Sequence, residues 1–289
     1  MTRPTSRPRV LTAVVFFLNG LGIGVWAASI PSIKDTLHLS NGRLSFALFS
    51  LAAGAVIMMP MFGLIASRYS TTGKAMTITT FLFAVALISP ATAGQLPELI
   101  VATFLLGAAT GAMDVAMNAH ASAVEKELGS AIMSSFHAAY SVGALVGAGL
   151  GAVELNFNFS HHWLLLPAGL VIAGAMAVMR NQVGAGNRDQ IHNPQLCVPE
   201  RGMIGLAATA LFCMLVEGAM VDWSALYLSS AGASVSLSPL AFGVFSVAMI
   251  AGRIGGDAAV RRIGRAQIII WGALAAAAGL ILAVAVPSS

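Results

Sequence analysis

The sequence predicts an all-α, polytopic membrane protein with about nine transmembrane helices. Of its 289 residues, 57% are hydrophobic and only 9% are charged, whereas soluble domains carry about 25% charged residues. Stretches 10–33, 44–67 and 75–97 contain no charge at all, and about 20 apolar residues suffice for a helix to cross a bilayer. Because so few charges cannot cover a globule, this composition excludes a soluble enzyme, a nucleic-acid-binding domain and a disordered chain.

The apolar stretches divide into nine predicted helices. Most have no internal charge, and two contain embedded acids near residues 114 and 217. The predicted spans are 10–32, 44–67, 75–93, 98–122, 132–153, 163–180, 203–228, 238–258 and 266–286.

The distribution of Lys and Arg predicts the orientation. With a cytoplasmic N-terminus, thirteen of the 15 basic residues lie on the cytoplasmic side, and Lys34 and Arg43 lie outside. Cytoplasmic loops of membrane proteins carry this excess of positive charge. Nine helices would then place Ser289 outside the cell.

The long polar stretch 181–201 divides the predicted helices into two units. It is rich in Gly and Asn, which is typical of a linker. We expect a six-helix bundle over 1–180, a cytoplasmic linker over 181–201 and a three-helix unit over 202–289. Three is an odd number, so successive three-helix repeats have inverted topology, as in many transporters. The first helix of each repeat carries the polar residues, which predicts a central cavity lined by these helices.

Two membrane-embedded acids are candidate proton sites. Asp114 and Asn118 are four residues apart, hence on one helix face. An acid near mid-membrane costs about 2.5–3.5 kcal/mol on insertion scales, so it rarely faces lipid. Asp114 is interpreted as a proton-coupling carboxylate with Asn118 as its partner or a solute contact; a structural polar pair is the alternative. Glu217 is the second candidate, with the same two interpretations.

The predicted cavity residues lie on helices 1, 4 and 7. Asn19 and Trp26 share a stripe of helix 1, while Trp223 and Tyr227 share a face of helix 7. Two aromatic rings could stack on a sugar, although an interfacial aromatic belt would give the same pattern. The candidates for the solute cavity are Asn19, Trp26, Asn118, Asp222, Trp223 and Tyr227.

Two basic turns occupy equivalent positions, after the second helix of the first and third repeats. They either anchor the protein by the positive-inside rule or form a charge latch that holds the halves together. These predicted cytoplasmic gating loops contain Arg68 and Lys74 in the first turn, and Arg253, Asp257, Arg262 and Arg265 in the second.

Glycines spaced by four residues predict close helix contacts, because small residues allow two backbones to approach. The sets are Gly20/Gly24, Gly107/Gly111, Gly143/Gly147/Gly151 and Gly252/Gly256. The two cysteines lack metal-ligand spacing, and no nucleophile–base arrangement or phosphate loop occurs. We therefore expect no metal, no cofactor and no enzymatic activity.

The basic turns resemble the Gly-x-x-x-Asp-Arg-x-Gly-Arg-Arg signature of the major facilitator superfamily. In the first copy Ser67 replaces the Asp and Ser70 a Gly, while Arg262-Ile263-Gly264-Arg265 fits the second copy with the acid displaced to Asp257. More narrowly, the chain is similar to the bacterial fucose-permease-like branch. That similarity is carried by Trp26-x-x-x-Ile30-Pro31-x-Ile33-Lys34, Asp114-Val-Ala-Met-Asn118, Met133-Ser134-x-Phe136-His137 and Glu217-Gly218 with Asp222-Trp223-Ser224.

The resemblance implies a secondary transporter of the bacterial cytoplasmic membrane that works by alternating access. Its partners would be a small polar solute such as a sugar, protons and the lipid bilayer, without nucleic acid. Asp114 matches the helix-4 carboxylate of the branch, whereas Ala27 stands where its sugar permeases carry a helix-1 acid; Glu217 would substitute for that acid.

Two other functions remain open. One is efflux of amphipathic compounds, although Ala148 follows Gly147 where the antiporter signature has Pro. The other follows from the twelve helices usual in the superfamily: with the last three helices lacking, a truncated protein would act through self-association or a partner without transporting.

Overall fold

The computed structural model describes residues 7–66, 71–129, 132–157, 161–183, 203–234, 237–238 and 240–285. Within these ranges it contains nine α-helices, one short 3-10 helix and no strand. The α-helices are α1 Arg7–Thr36, α2 Asn41–Ala66, α3 Thr72–Ile88, α4 Leu96–Leu128, α5 Met133–Asn156, α6 His162–Val183, α7 Ile204–Ser230, α8 Leu240–Ile263 and α9 Arg265–Ala285.

The predicted all-α polytopic membrane fold is confirmed. Eight helical segments are long and apolar enough to cross a bilayer, and α8 contributes a shorter apolar segment, Leu240–Gly256. Several helices exceed the predicted spans. At 1.5 Å per residue, the 30 residues of α1 extend about 45 Å, beyond a hydrocarbon core of about 30 Å. Charged residues can therefore continue a helix out of the bilayer.

The connection between α4 and α5 is fixed by its own residues. Gly129 ends α4 in the left-handed region at a φ of 62°. Glu125 Oε2 accepts the backbone N–H groups of Ile132 and Met133, each at 2.7 Å. Since the first N–H groups of a helix lack intrahelical acceptors, this carboxylate satisfies two of them at the start of α5.

The turn between α8 and α9 is shorter than the predicted loop. Gly264 alone separates the two helices, with a φ of 88°. Asp257 and Arg262 accordingly lie within α8, and Arg265 is the first residue of α9. Charged residues are compatible with helix, so their presence did not mark the end of α8.

Helix α1 lies at the centre of the packing of α1–α6. It contacts α3, α4, α5 and α6, and its large side chains Phe16, Trp26 and Ile30 are fully buried. Phe16 stacks on Phe136 of α5, with ring centroids 5.5 Å apart. The core of the described protein is therefore built around α1.

The predicted glycine contacts are present in this core. Gly20 of α1 lies directly against the carbonyl of Tyr140 in α5, and Gly143 lies against the carbonyl of Phe17. Between α2 and α4, Gly107 lies against the carbonyl of Leu51. Gly252 and Gly256, by contrast, have nothing within 4 Å of an added Cβ, so the expected packing role of this pair is wrong for the described residues.

Helices α7–α9 are much more exposed. Ser224 and Ala225 are the buried residues of α7, and no described residue of α9 is buried. Contacts with α1–α6 come mainly from α7 against α1 and from α8 against α5. The boundary of the predicted linker begins three residues too early, since α6 continues to Val183; residues 184–202 lie outside the described residues.

Candidate solute and proton site

Asp114 and Asn118 form a hydrogen-bonded pair on α4. Asn118 Nδ2 donates to Asp114 Oδ1 at 3.1 Å and to the Asp114 carbonyl at 2.9 Å. Both side chains are half-buried, and Asp114 is the nineteenth of 33 residues of its helix. The spacing of four residues thus produced the expected contact, near the middle of the span.

Glu217 lies at the middle of α7 and pairs with Arg253 of α8. It is the fourteenth of 27 residues of α7, and its Oε1 lies 3.7 Å from Arg253 Nη2. Both side chains are partly accessible, 38% for Glu217 and 20% for Arg253. An ion pair with this exposure is screened, and its contribution to stability is at most about 1 kcal/mol.

Arg253 also reaches across to α5. Its Nη1 donates to the carbonyl of His137 at 2.8 Å and to Ser141 Oγ. Its guanidinium carbon lies 5.8 Å from the centroid of the Tyr140 ring, within the range of a cation–π interaction. One side chain therefore connects α5 with both α7 and α8.

These contacts bring four ionisable groups from four helices into one cluster. Asp114 is near enough to Glu217 for their charges to interact. Tyr140 interacts electrostatically with Asp114, Glu217 and Arg253. The cluster of Asp114, Tyr140, Glu217 and Arg253 thus joins α4 and α5 to α7 and α8.

Helix α1 contributes polar atoms that are poorly satisfied. Asn19 is buried, and its Nδ2 donates to Met113 Sδ at 3.1 Å; a thioether is a weak acceptor. Trp26 is 2% exposed, and its Nε1 has no hydrogen-bond partner among the described residues. Ser224 Oγ of α7 is buried in the same way. Unsatisfied buried polar groups are rare and costly.

The remaining predicted residues of α7 divide between two environments. Trp223 is half-buried and packs against the hydrophobic core of α1–α6. Asp222 is half-buried. Tyr227 is 48% exposed, and its hydroxyl donates to the carbonyl of Ala283 in α9. The expected pairing of Trp223 and Tyr227 on one surface is therefore not seen.

The predicted gating residues are also dispersed. Arg68 lies outside the described residues, Lys74 is exposed in the first turn of α3, and Arg262 is exposed near the end of α8. Of this set, Arg253 is the residue whose described contacts connect the two groups of helices. No group of three or more His, Cys, Asp or Glu side chains in the described ranges could hold a metal ion.

Sequence reasoning did not identify Tyr140, Ser141 and Ser224 as residues of the site. The first two had a usable signal, since His137, Tyr140 and Ser141 are spaced by three and four and so share a face of an apolar helix. Ser224 had none, because a single hydroxyl in a membrane helix usually bonds to its own backbone.

Comparison with known proteins places these observations in a family. The family model of the Major Facilitator Superfamily matches residues 12–289. An uncharacterised MFS-type transporter of Yersinia pestis is 32% identical, with 99% of this chain and 75% of that protein covered. The membrane protein MosC of Rhizobium meliloti is also 32% identical, with 96% and 69% covered.

Two further similarities are more distant. The galactose-proton symporter of Escherichia coli is 25% identical over 57% of this chain and 36% of its own length. The structure of the nucleoside transporter NupG matches with a TM-score of 0.63 and 16% identity, covering 89% of this chain and 68% of NupG; it shows the fold alone. The chain is a multi-pass membrane protein of the Major Facilitator Superfamily, a family of transporters and not of enzymes.

Proposed function

We propose that this protein is a proton-coupled secondary transporter that moves a small polar solute, such as a sugar, by alternating access. The observation that carries the proposal is the position of two acids, Asp114 and Glu217, near the middle of α4 and α7, with Glu217 paired to Arg253 of α8. Acids at this depth usually mark proton or substrate pathways. The similarity to a galactose-proton symporter supports both the class of solute and the coupling.

The charge balance of the cluster supports a proton site. The cluster holds two carboxylates, Asp114 and Glu217, and one guanidinium, Arg253, which pairs with Glu217. With both acids ionised the cluster carries one uncompensated negative charge, and binding one proton would remove it. Because Arg253 already pairs with Glu217, we assign the exchangeable proton to Asp114 and a supporting role to Glu217.

The unsatisfied polar atoms support a solute site between α1, α4 and α7. Trp26 Nε1 and Ser224 Oγ are buried without partners among the described residues, and Asn19 has only a sulfur acceptor. A hydroxyl-rich solute can accept from the indole and both donate to and accept from the serine. We add Asn118, Asp222 and Trp223 to the lining and leave Tyr227 out because its hydroxyl is bound to α9.

The proposal also includes the orientation and the gate. We retain the six-helix unit, extended to Val183 by α6, the linker that follows it, the unit 202–289, the cytoplasmic N-terminus and the fucose-permease-like branch. Arg253 is the fourteenth of the 24 residues of α8, on the half that leads to the end predicted to be cytoplasmic. Its contacts with His137 and Ser141 of α5 would close that end and would have to break for it to open.

The test is solute-driven proton movement in proteoliposomes containing the full chain and a pH-sensitive dye. A panel of sugars is added, and we expect one or more to drive proton uptake. Asp114→Asn should abolish proton uptake because an amide cannot carry the proton. Glu127→Gln, an exposed acid on the same helix, is the matched control and should behave as the unmodified chain.

Proton uptake that continues unchanged in Asp114→Asn would refute the assigned proton site. Proton release driven by amphipathic cations, with no response to sugars, would refute uptake of a polar solute and favour efflux.

A further inference from the structure

A cavity of about 360 Å³ lies between α3 and α6, away from the proposed solute site. Its size falls at the lower end of the range for small-ligand sites, about 300–1,000 Å³. The lining residues are Lys74, Thr77, Ile78, Arg180 and Asn181. Two cations, a hydroxyl and an amide thus surround one space without any acidic residue.

The cavity lies at one end of the α3–α6 pair. In the first half of α6, a Cβ at Gly169 would lie 2.7 Å from the Ala84 carbonyl of α3, so the helices approach closely there. Lys74 lies in the first turn of α3 and Arg180 in the last turn of α6, and the cavity is located between these two turns.

The two cations are not neutralised by the protein. Neither Lys74 nor Arg180 has a carboxylate within ion-pair distance among the described residues, and both side chains are exposed. Thr77 donates its hydroxyl to the Gly73 carbonyl at 2.8 Å, and its oxygen can still accept. The cavity is therefore electropositive and suited to an anion.

An apolar surface continues from the cavity along the bilayer. Ile78, Leu82 and Val85 of α3 are 40%, 53% and 68% exposed, and Val178 of α6 is 76% exposed. Residues spaced by three and four form one stripe. A molecule with a charged head in the cavity could thus lay its hydrocarbon chain along α3, which an inorganic anion cannot do.

We propose that this cavity binds the phosphate of an anionic phospholipid headgroup, with Lys74 and Arg180 as its two cationic contacts and Asn181 as a further donor. Basic pockets between transmembrane helices bind such headgroups, and each Lys or Arg near the surface contributes about a fivefold increase in affinity for anionic lipid. The basic-residue distribution places the site in the cytoplasmic leaflet. A lipid bound here would contact both α3 and α6.

The experiment is native mass spectrometry of the detergent-purified full chain titrated with phosphatidylglycerol or phosphatidylcholine of identical acyl chains. We expect the chain to retain phosphatidylglycerol preferentially. The Lys74→Gln/Arg180→Gln double variant should lose about 30-fold in affinity for phosphatidylglycerol and little for phosphatidylcholine. Lys74→Arg should retain most of the preference because it keeps the charge.

Lys126→Gln is the matched control, since it removes an equally exposed cation at the same predicted side of the membrane but outside the cavity. An equal loss of phosphatidylglycerol in Lys126→Gln and Lys74→Gln would overturn the proposal in favour of general surface attraction. Displacement of the lipid by an equal concentration of inorganic phosphate would overturn the lipid assignment. A melting temperature within the error of the unmodified chain shows that each variant is folded.

Discussion

Helix α5 packs against two neighbours in two different ways. Against α1 the contact is backbone on backbone, with Gly20 and Gly143 lying directly on carbonyls of the opposite helix. Against α8 the polar contact is a single long side chain, Arg253, donating to His137 and Ser141. A glycine contact tolerates no displacement because any shift brings a side chain onto the backbone. An arginine can exchange its acceptors without rebuilding either helix.

The difference indicates which interface can move. The direct backbone contact between α1 and α5 favours an interface that stays fixed within the group α1–α6. The α5–α8 interface adds to Arg253 a small apolar contact in which Phe242 packs with Ala144 and Ala148. Under the proposed function, alternating access needs a contact that opens and closes, and we assign that role to the α5–α8 interface.

The largest expected effect on stability comes from disrupting the glycine contact between α1 and α5. Gly143→Ala places a Cβ against the Phe17 carbonyl, and neither backbone can withdraw, so we expect a loss of about 3 kcal/mol or more in the free energy of unfolding. The measurement is the yield and melting temperature of the purified chain. Gly149→Ala on the same helix has nothing within 4 Å and should be neutral or stabilising by up to about 1 kcal/mol. Equal losses in both variants would refute the comparison.

A contact of His161 within α1–α6 predicts a smaller effect on stability, and one that depends on pH. His161, 2% exposed, shares a hydrogen bond of 3.2 Å with Ser32 of α1 and stacks on His162. Burial, and then the charge of His162, lower the pKa of His161 to about 4 from its usual 6.5. The unfolded chain therefore binds a proton at a higher pH than the folded one does.

Stability should thus be complete above about pH 6.5 and fall by about 2 kcal/mol as the pH decreases towards 4. Melting curves across this range measure the loss. His161→Asn should flatten the profile in that window, while His38→Asn, at an exposed loop position of the same predicted side, should leave it unchanged. A profile that His161→Asn does not alter would contradict this account.

For variants at the α5–α8 interface, we expect small changes in the free energy of unfolding and larger changes in the accessibility of residues between the two helices. Arg253→Gln removes the contacts with α5 and should shift the opening of the α5–α8 interface by about tenfold, equivalent to 1.4 kcal/mol. The readout is the maleimide labelling rate of Ala138→Cys, a residue that lines a cavity with Arg253 and Ile254, in a Cys197→Ser/Cys213→Ser background.

Glu217→Gln provides the finer comparison. It removes the ion pair at 3.7 Å and leaves both bonds of Arg253 to α5, so it should change the labelling rate by less than about fivefold. If Glu217→Gln opened the interface as much as Arg253→Gln, the bonds to α5 would not be what holds it closed.

The fold was predictable because eight of the nine described helices are long and apolar. The glycine spacing also correctly predicted close helix contacts, which the structure places between α1 and α5 and between α2 and α4. The arrangement of the candidate site was not predictable from the sequence. These helices are apolar on nearly all sides, so periodicity does not tell which face is inside. The contact between Arg253 and His137 spans 116 residues of sequence, and no local pattern connects them. The hydrogen bond of the Tyr227 hydroxyl likewise depends on Ala283 of α9, which lies far away in the sequence.

The hydrogen bonds that Glu125 accepts from two backbone N–H groups have a thermodynamic consequence. These bonds tie the end of α4, the helix that carries Asp114, to the start of α5, the helix that carries the acceptors of Arg253. Under the proposed function, protonation of Asp114 and release of Arg253 from α5 are two linked events, and such linkage is reciprocal. If protonation of Asp114 favours the release of Arg253 by some factor, the release of Arg253 raises the proton affinity of Asp114 by the same factor.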